Sequence, residues 1–498
     1  FGQGPFFVSF LLYIGKISVI INLQGSIAVL ERGDPMGNLE KYQAFRKRYP
    51  EFIYESYDIE RQPGEVKLAF RFSVPGLGEF APQWTLPMPD NPAFPPESPL
   101  FQNLAFQLGL VELISYWKIA CPPLVRIKCG FLDADQQKWW KAQYFSGLGE
   151  FFYKNGIDAS EEDFMSLQPE GAPLPAGEPL PLKGCMIPVG GGKDSVVTME
   201  LLRDLKEENL CYILNPRGAT VNTAKLAGFD EKQLVCPRRT LDPLMLELNR
   251  QGYLNGHTPF SALVAFSGLL MAAAYGKKYL VLSNESSANE ATVAGSSVNH
   301  QYSKSFQFEQ DFNWYERQYI GSGVLYFSLL RPWSEFQIAA YFARFPQYHS
   351  AFRSCNAGSK TDSWCGACPK CLFVWVILSP FLDTAQLEGI FGENLAQKEA
   401  LWETLRQLCG MTAEKPFECV GSREEICFAL TLAIRKMEGK GEPLPLLYRL
   451  FKDTEQYQIY AGRENPYFSY FNGEHLLPPA FLERIKAAGG LLQREAGL

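Results

Sequence analysis

The sequence predicts an α/β protein with a doubly wound, mostly parallel sheet, an α+β domain before it and a mostly helical region after it. Between residues 184 and 335, apolar runs alternate with helical patterns: "CMIPV", "LCYIL", "QLVC", "YLVLS" and "VLYFSLL". Strands that alternate with helices are typical of parallel sheets covered by helices. The Pro/Gly-rich stretch at 169–183 is typical of a linker and separates this region from the residues before it.

These observations divide the chain into five parts. We expect the α+β domain at 36–168, the linker at 169–183, the doubly wound domain at 184–394 and the helical region at 395–498. The apolar residues 1–35 have two interpretations: a leader or anchor segment, or mis-annotated sequence upstream of Met36. We expect the second, because this stretch has neither a basic start nor a small-residue cleavage site.

Composition excludes some classes of protein. Apolar residues make up 46% of the chain and charged residues 20%, which is ordinary for a globular protein. The net charge of −7 argues against nucleic acid as a partner, since a phosphate-backbone footprint needs an excess of Lys and Arg. Twelve cysteines are too dilute for a disulfide scaffold in a chain of 498 residues, so we expect a cytoplasmic location.

One long uncharged run, residues 252–276, has the length to cross a bilayer. Its many small residues, the early Pro259 and the strand-like run after it favour a buried helix that packs on a sheet. We therefore expect no stable membrane insertion.

The motif "PVGGGKDS" joins a predicted strand to a predicted helix; its turn comprises Gly190, Gly191, Gly192, Lys193, Asp194 and Ser195. Glycines let a backbone approach an anion closely, and the amides at a helix start point at it. The Walker A pattern fails here because Asp194 follows Lys193, and the dinucleotide-binding pattern fails because its last glycine is missing. A structural turn that ends in a helix cap is the plain alternative.

This turn resembles the S-G-G-x-D-S loop of the ATP pyrophosphatases, the PP-loop enzymes, with Gly190 in place of the first Ser. The resemblance implies that the loop amides hold the β,γ-diphosphate of ATP as leaving group, while an acceptor attacks the α-phosphorus. It also implies that Asp194 holds Mg²⁺ or a nucleotide hydroxyl and that Ser195 holds a phosphate oxygen. A carboxylate beside anionic phosphates needs a cation, so Mg²⁺ is the physical expectation as well.

Four cysteines have the spacing of a metal site: Cys355, Cys365, Cys368 and Cys371. Three closely spaced thiols can wrap one ion, and the fourth completes tetrahedral sulfur ligation, which indicates Zn²⁺. If all four bind, no coordination position stays open, so the site is expected to be structural. A redox cluster and unpaired buried cysteines are the alternatives. A similar arrangement occurs in the PP-loop enzymes that make a 7-cyano-7-deazaguanine base.

Polar residues also concentrate beyond the predicted strands, where ligands of such sheets bind. The candidates are His257 in "LNGHTP", His300 and Lys304 in "NHQYSKSFQFE", Arg331 in "SLLRPWSE" and Cys419 in "KPFECVGSREE". A lone histidine is more often structural than catalytic, but flanking Asn, Lys and Tyr residues at strand ends favour a functional role.

Nine pieces, in this order, resemble one family: "PVGGGKDS", "LNGHTP", "SNESSA", "NHQYSKSFQFE", "LLRPWSE", "SCN", "WCGACPKC", "IFG" and "KPFECVGSREE". It is the ATP-dependent UDP-N-acetylmuramoyl-L-alanyl-L-glutamate epimerase family of the MurL type, which acts in bacterial peptidoglycan precursor synthesis. The resemblance covers roughly residues 40–430. One departure is Ser286 in "SNESSA", where the family pattern has Arg, so an ionic role at that position is in doubt.

The resemblance implies that the terminal L-Glu of UDP-MurNAc-L-Ala-L-Glu is inverted to D-Glu while ATP is split to AMP and diphosphate. In this scheme Gly190–Ser195 hold ATP, and Lys304 and Arg331 neutralise phosphate or carboxylate charge. His257 or His300 transfers the proton, with Cys419 as a further base candidate. Two other functions stay open: an amide- or deazapurine nitrile-forming PP-loop ligase, and a zinc-stabilised nucleotide-binding protein without catalysis.

Overall fold

The computed structural model describes residues 36–178, 180–289 and 302–495, together with three short strands before residue 36. The strands are β1 (Phe10–Ile14), β2 (Ile17–Ile21), β3 (Ile27–Glu31), β4 (Glu51–Gln62), β5 (Glu65–Val74), β6 (Gly78–Phe80), β7 (Gln83–Pro87), β8 (Leu124–Ile127), β9 (Ser166–Pro169), β10 (Cys185–Pro188), β11 (Leu210–Tyr212), β12 (Leu234–Val235), β13 (Arg238–Thr240), β14 (Tyr279–Leu282) and β15 (Leu325–Ser328). The first three form an antiparallel sheet of their own in the order β1-β2-β3.

Helices make up most of the remaining regular structure. They are α1 (Asn38–Arg48), α2 (Pro99–Trp117), α3 (Ala134–Gly147), α4 (Gly149–Lys154), α5 (Lys193–Leu201), α6 (Gly218–Leu226), α7 (Pro243–Arg250), α8 (Phe260–Ala274), α9 (Phe306–Tyr315), α10 (Glu335–Ala343), α11 (Pro369–Leu378), α12 (Thr384–Phe391), α13 (Trp402–Leu408), α14 (Arg423–Gly439), α15 (Leu446–Lys452), α16 (Glu455–Ala461) and α17 (Pro479–Glu495).

The N-terminal sheet is mixed and has the order β13-β7-β5-β4-β8-β9, with β6 on β5. Its long strands β4 and β5 pair antiparallel. In β5 every second residue is buried, from Val66 to Val74, because alternate side chains of a strand point to opposite faces. Helix α2 is buried along almost its whole length, since it packs against both this sheet and α8. Ser98 caps its first turn by accepting a hydrogen bond from the amide of Phe101.

The second sheet has five parallel strands in the order β12-β11-β10-β14-β15. Neighbouring residues of its strands enter two different apolar cores: Met186 and Leu280 pack with α8, and Ile187 and Val281 pack on the side of α5 and α10. Both faces of this sheet are therefore covered by apolar cores, which explains why its strands are continuous apolar runs in the sequence. The predicted mixed α/β fold with a parallel sheet is confirmed.

The two sheets are joined across the predicted linker. Strand β13, which follows three strands of the parallel sheet in sequence, pairs antiparallel with β7 of the N-terminal sheet. Arg239 on β13 forms a buried ion pair with Glu112 on α2, with Nη2 and Oε1 separated by 2.7 Å. The indole nitrogen of Trp84 also donates to Glu112, at 3.1 Å. The domain boundary at 169–183 stays a prediction, because one apolar core includes residues from both sides of it.

The uncharged run at 252–276 forms α8, whose residues are largely buried between the two sheets, as the sequence predicts. None of the helices in the described ranges combines the length and the apolar character that a membrane span requires. The C-terminal helix α17 returns to the parallel sheet and packs on α5 and α10. The last part of the chain therefore supports the helices that flank the glycine turn.

Candidate functional site

A cleft of about 510 Å³ opens at the carboxyl edge of the parallel sheet. Its floor includes Pro188, Tyr212 and Leu282, which end the neighbouring strands β10, β11 and β14. Parallel strands all end at the same edge, so segments that are distant in sequence meet there. The lining also includes the glycine turn, the residue Lys304, the segment 353–356 and Cys419.

The glycine turn is shaped by one residue with a left-handed backbone. Gly191 has a φ of +78°, and a Cβ at this position would lie 2.9 Å from the carbonyl carbon of Ala219 and the nitrogen of Thr220. Only glycine fits such a conformation beside another backbone. The Gly191 carbonyl accepts a hydrogen bond from the amide of Arg353 at 2.8 Å. The turn is thus held against two other segments.

Helix α5 begins inside the cleft and has no side-chain cap on its first turn. Its early amides are therefore available to an anion, which the helix dipole also favours. Gly190, Gly192, Asp194 and Ser195 line the cleft. The Ser195 hydroxyl donates to the Gly192 carbonyl at 3.0 Å, so it stabilises the turn from within.

Lys193 lies beneath the turn and does not face the cleft. Its side chain is 2% exposed, and its ammonium group forms ion pairs with Asp194 and Glu335. Burial opposes the charge of Asp194, but Lys193 and Lys370 keep the pKa of this carboxyl below its usual value. Burial raises the pKa of Glu335 to about 8, because Lys193 compensates only part of the desolvation and Asp194 adds repulsion. One buried ammonium group thus serves two carboxyl groups, and it stabilises the charge of Asp194 more than that of Glu335.

Lys304 and Cys419 come together on the other side of the cleft. The Lys304 ammonium donates to the Cys419 sulfur at 3.1 Å. Burial disfavours the ammonium, but Cys419 and Glu285 outweigh it and raise the pKa of Lys304 above its usual value. Lys370 donates to the backbone carbonyl of Cys419 and lies 4.9 Å from the ring centroid of Phe373. Two cations therefore surround this cysteine.

Arg331 lies behind Lys304 and is completely buried. Its Nη2 atom is 3.0 Å from the Glu309 carboxylate and 2.6 Å from the Lys304 carbonyl, and its Nη1 atom donates to the Glu285 carbonyl at 3.0 Å. Its charge is thus neutralised inside the protein. In this structure Arg331 holds the backbones of two cleft residues in place. Its contact with a phosphate or carboxylate of the substrate stays a prediction.

The structure does not bring His257 to the cleft lining. Its Nδ1 atom lies 3.3 Å from the carboxylate of Glu150 in helix α4, and its side chain is 26% exposed. The neighbouring carbonyl of Gly256 accepts a hydrogen bond from the buried Lys118. His300 lies outside the described residues. A role for either histidine in proton transfer stays a prediction.

The four predicted metal ligands converge. The sulfur atoms of Cys355 and Cys368 and those of Cys365 and Cys371 are each 3.7 Å apart, and Cys368 and Cys371 are separated by 3.5 Å. Bonds of about 2.3 Å from a tetrahedral ion to four sulfurs require separations of about 3.8 Å. These distances are far too long for disulfides, which need about 2.05 Å. The cluster therefore fits a four-coordinate metal ion.

This cluster also shapes the cleft. Cys355 lines it directly, and the preceding residues Arg353 and Ser354 pack against the glycine turn. Cys368 precedes helix α11 as its N-cap, which places Lys370 in the first turn and directs it to Cys419. A metal ion here would order the cleft wall.

Several residues of the lining have no role in the predictions from sequence. They are Glu335, Lys370, Arg353, Arg217 and Asp362, all of which line the cleft. Lys370 and Arg353 lie beside predicted metal ligands, and that proximity was the available signal. Asp362 cannot be recognised from the sequence, because its contact is with a distant segment. Its carboxylate accepts a hydrogen bond from the amide of Ala219 at 2.7 Å, in the first turn of helix α6.

Comparison with known proteins identifies the family. Residues 43–329 match the MurL N-terminal domain and residues 349–458 match the MurL C-terminal domain. The chain belongs to the MurL family. A relative from Xanthomonas oryzae pv. oryzae, named UDP-N-acetyl-alpha-D-muramoyl-L-alanyl-L-glutamate epimerase, is 33% identical over 389 residues, which are 76% of this chain and 85% of the relative.

Two further relatives carry the same name. One from Salinispora tropica is 33% identical over 403 residues, covering 78% of this chain and 85% of the relative. One from Micromonospora sp. is 30% identical over 456 residues, covering 88% and 98%. No solved structure matches the chain. The resemblance to the MurL family that the sequence motifs indicate is confirmed.

Both MurL domains contribute to the cleft. The MurL N-terminal domain supplies the glycine turn and Lys304, and the MurL C-terminal domain supplies the four cysteines, Lys370 and Cys419. The family boundary, between residues 329 and 349, thus runs through the site. Neither part alone contains the whole arrangement.

Proposed function

We propose that this protein is an ATP-dependent epimerase that inverts the terminal L-Glu of UDP-MurNAc-L-Ala-L-Glu to D-Glu in peptidoglycan precursor synthesis. The observation that carries the proposal is membership of the MurL family, with relatives of that name covered over most of their length. The cleft supports it, because an anion-binding turn and a pair of lysines face the same space. The net charge of −7 suits a small-molecule substrate better than a nucleic acid.

The glycine turn supports ATP as the second substrate. Its placement at the first strand-to-helix turn of a parallel sheet, with uncapped amides on α5, suits the β,γ-diphosphate of ATP as a leaving group. We assign the sheet to the PP-loop superfamily on the resemblance of this turn. Such enzymes act at the α-phosphorus, which yields AMP and diphosphate.

The chemistry gives a reason for using ATP. A carboxylate makes the neighbouring α-proton very hard to remove, because the resulting carbanion would carry two negative charges. Conversion of the carboxyl group to an acyl-adenylate removes one charge and provides an electron sink. A base then takes the α-proton, a proton returns to the other face, and water releases the free acid and AMP. Positioned acid–base groups contribute about 10²–10⁴-fold to such steps.

Two metal ions belong to this proposal. Lys193 and Lys370 keep the pKa of Asp194 below its usual value, and Asp194 lines the cleft beside the glycine turn. It therefore suits Mg²⁺, which prefers carboxylate and phosphate oxygens. Four cysteine sulfurs in tetrahedral spacing suit Zn²⁺ in a structural role. Because the donor set has no open position, this ion supports the wall that holds Lys370 and takes no part in the chemistry. We place the enzyme in the cytoplasm, where thiolate sites stay reduced.

The test is to incubate the protein with ATP, Mg²⁺ and the L-Glu precursor and to measure AMP, diphosphate and the chirality of the product. We expect D-Glu in the product and AMP formation that depends on the precursor. Amide or nitrile formation with ammonia and without inversion would favour a PP-loop ligase. Binding of ATP with no turnover would favour a nucleotide-binding protein without catalysis.

A further inference from the structure

Cys419 differs from the other cysteines of the described structure in where it lies. Among the residues that line the cleft, the cysteines are Cys355 and Cys419, and Cys355 belongs to the metal cluster. Cys419 therefore presents to the cleft a thiol that lies outside the four-cysteine cluster. Cys129 and Cys236 are half-buried elsewhere in the fold.

Two lysines beside Cys419 favour its thiolate. The Lys304 ammonium is 3.1 Å from its sulfur, and Lys370 donates to its carbonyl. A neighbouring ammonium lowers the pKa of a thiol, and the thiolate is the reactive form. Lys304 is itself fixed, since its carbonyl accepts a hydrogen bond from the buried Arg331 at 2.6 Å. The Lys304 ammonium and the Cys419 sulfur are thus in contact without any substrate.

Among the described residues, two other sets of candidate bases are less well placed. His257 lies outside the cleft lining and is paired with Glu150. Asp194 and Glu335 share the buried Lys193 on the nucleotide side. Cys419 faces the same cleft from a different segment, 115 residues from Lys304 in sequence.

We propose that Cys419 is the catalytic base that removes the α-proton of the activated glutamyl residue, and that Lys304 is the positioning residue that holds its thiolate. The proposal rests on the proposed function and assigns a residue to its central step. The thiolate sulfur forms an S–H bond with the α-proton, and the C–H electron pair moves into the enolate of the activated carboxyl group.

A second acid completes the inversion. A carboxylic acid or ammonium group elsewhere in the cleft gives a proton to the opposite face of the α-carbon. Solvent then re-protonates that group and accepts the proton from Cys419, so both return to their starting states. Proton removal at one face therefore exchanges the α-position with solvent whenever the adenylate is formed.

The first test measures the thiolate directly and needs no substrate. Wild-type protein is treated with iodoacetamide at pH 7, and the modification of each cysteine is followed by peptide mass spectrometry. Burial raises the pKa of Cys129 to about 12 and also raises that of Cys236. We expect Cys419 to react at least about tenfold faster than these two, because only thiolates react efficiently.

Variants of Lys304 separate a positioning role from a structural one. Lys304→Met is expected to slow the alkylation of Cys419 at pH 7 and to shift its pH profile upward, while Lys304→Arg keeps a cation and largely preserves both. An unchanged profile in Lys304→Met, or a Cys419 rate no higher than that of Cys129, overturns the proposal.

The second test follows the reaction in D₂O. Cys419→Ala is expected to lose deuterium exchange at the α-carbon by about 10²–10⁴-fold while it keeps precursor-dependent exchange of diphosphate into ATP. Cys236→Ser is the matched control and retains both. Exchange at the wild-type rate in Cys419→Ala overturns the assignment, and so does a folded Cys419→Ala that loses both reactions. Absence of diphosphate exchange in the wild type would instead count against the proposed function.

Discussion

Replacement of Gly191 by Ala tests whether the glycine turn depends on its left-handed residue. Gly191 has a φ of +78°, and an added Cβ would lie 2.9 Å from two backbone atoms of helix α6. These atoms cannot move aside as a flexible side chain can. We expect the variant to be less stable, less able to bind ATP, or both.

The size of the effect follows from two contributions. A non-glycine residue in the left-handed region costs about 1–2 kcal/mol. Displacing packed neighbours to accommodate extra atoms costs about 1–3 kcal/mol. Gly191→Ala should therefore lower the free energy of unfolding by about 2–5 kcal/mol. If the turn changes shape to relieve part of this strain, the loss of stability is smaller and ATP binding is weaker instead. Each 1.4 kcal/mol transferred in this way weakens ATP binding about tenfold.

The assay combines urea unfolding with the KM for ATP, and Gly190→Ala is the matched control. A Cβ at Gly190 meets no heavy atom within 4 Å. We expect its unfolding free energy to stay within about 0.5 kcal/mol of the wild type. Its methyl group lies in the cleft, so a raised KM without lost stability would place ATP at the turn. If Gly191→Ala has wild-type stability and a wild-type KM for ATP, the turn does not depend on a glycine at this position.

Three further predictions concern the supporting structure. Cys368→Ser should lose most of the bound zinc in metal analysis, whereas Cys236→Ser should keep it; equal zinc contents would contradict the proposed ligand set. Glu112→Ala should lower the unfolding free energy by about 3–5 kcal/mol, because it removes the carboxylate that neutralises the largely buried Arg239; a double replacement of both by Leu and Met should cost much less, and additive losses would contradict this. Burial lowers the pKa of Lys118 to about 8, below its unfolded value of about 10.4. The unfolded state then binds more protons between these values, so wild-type stability relative to Lys118→Met should rise as the pH increases from 8 to 10, and a flat difference would contradict it.

Much of the site could be predicted because its motifs are local. Gly191 allows the left-handed backbone conformation that the turn needs, and helix α5 begins two residues later, at Lys193. The cysteine cluster is similar, since Cys365, Cys368 and Cys371 lie close enough in sequence to reach one ion. The strands of the parallel sheet could also be predicted, because helices cover both faces of this sheet and its strands are therefore continuous apolar runs.

The contacts that the sequence does not reveal have one physical cause. The orientation of a side chain relative to the cleft depends on packing from distant segments, which no local pattern contains. Lys193 belongs to the glycine motif, yet Glu335 draws it beneath the turn. Arg331 is in a polar segment, yet it is neutralised by Glu309 in the interior. Strand β13 pairs with β7 of the N-terminal sheet, and Arg239 on this strand contacts Glu112, which is 127 residues away in sequence.

Residue types at short or ordered spacing are enough to predict the glycine turn, the four-cysteine cluster, the parallel sheet and the resemblance to the MurL family. Which charged groups meet in the cleft depends on how distant segments pack. Lys304 and Cys419 carry no shared signal in the chain, and they become a pair only because the carboxyl ends of parallel strands and the wall built on the cysteine cluster converge on one space.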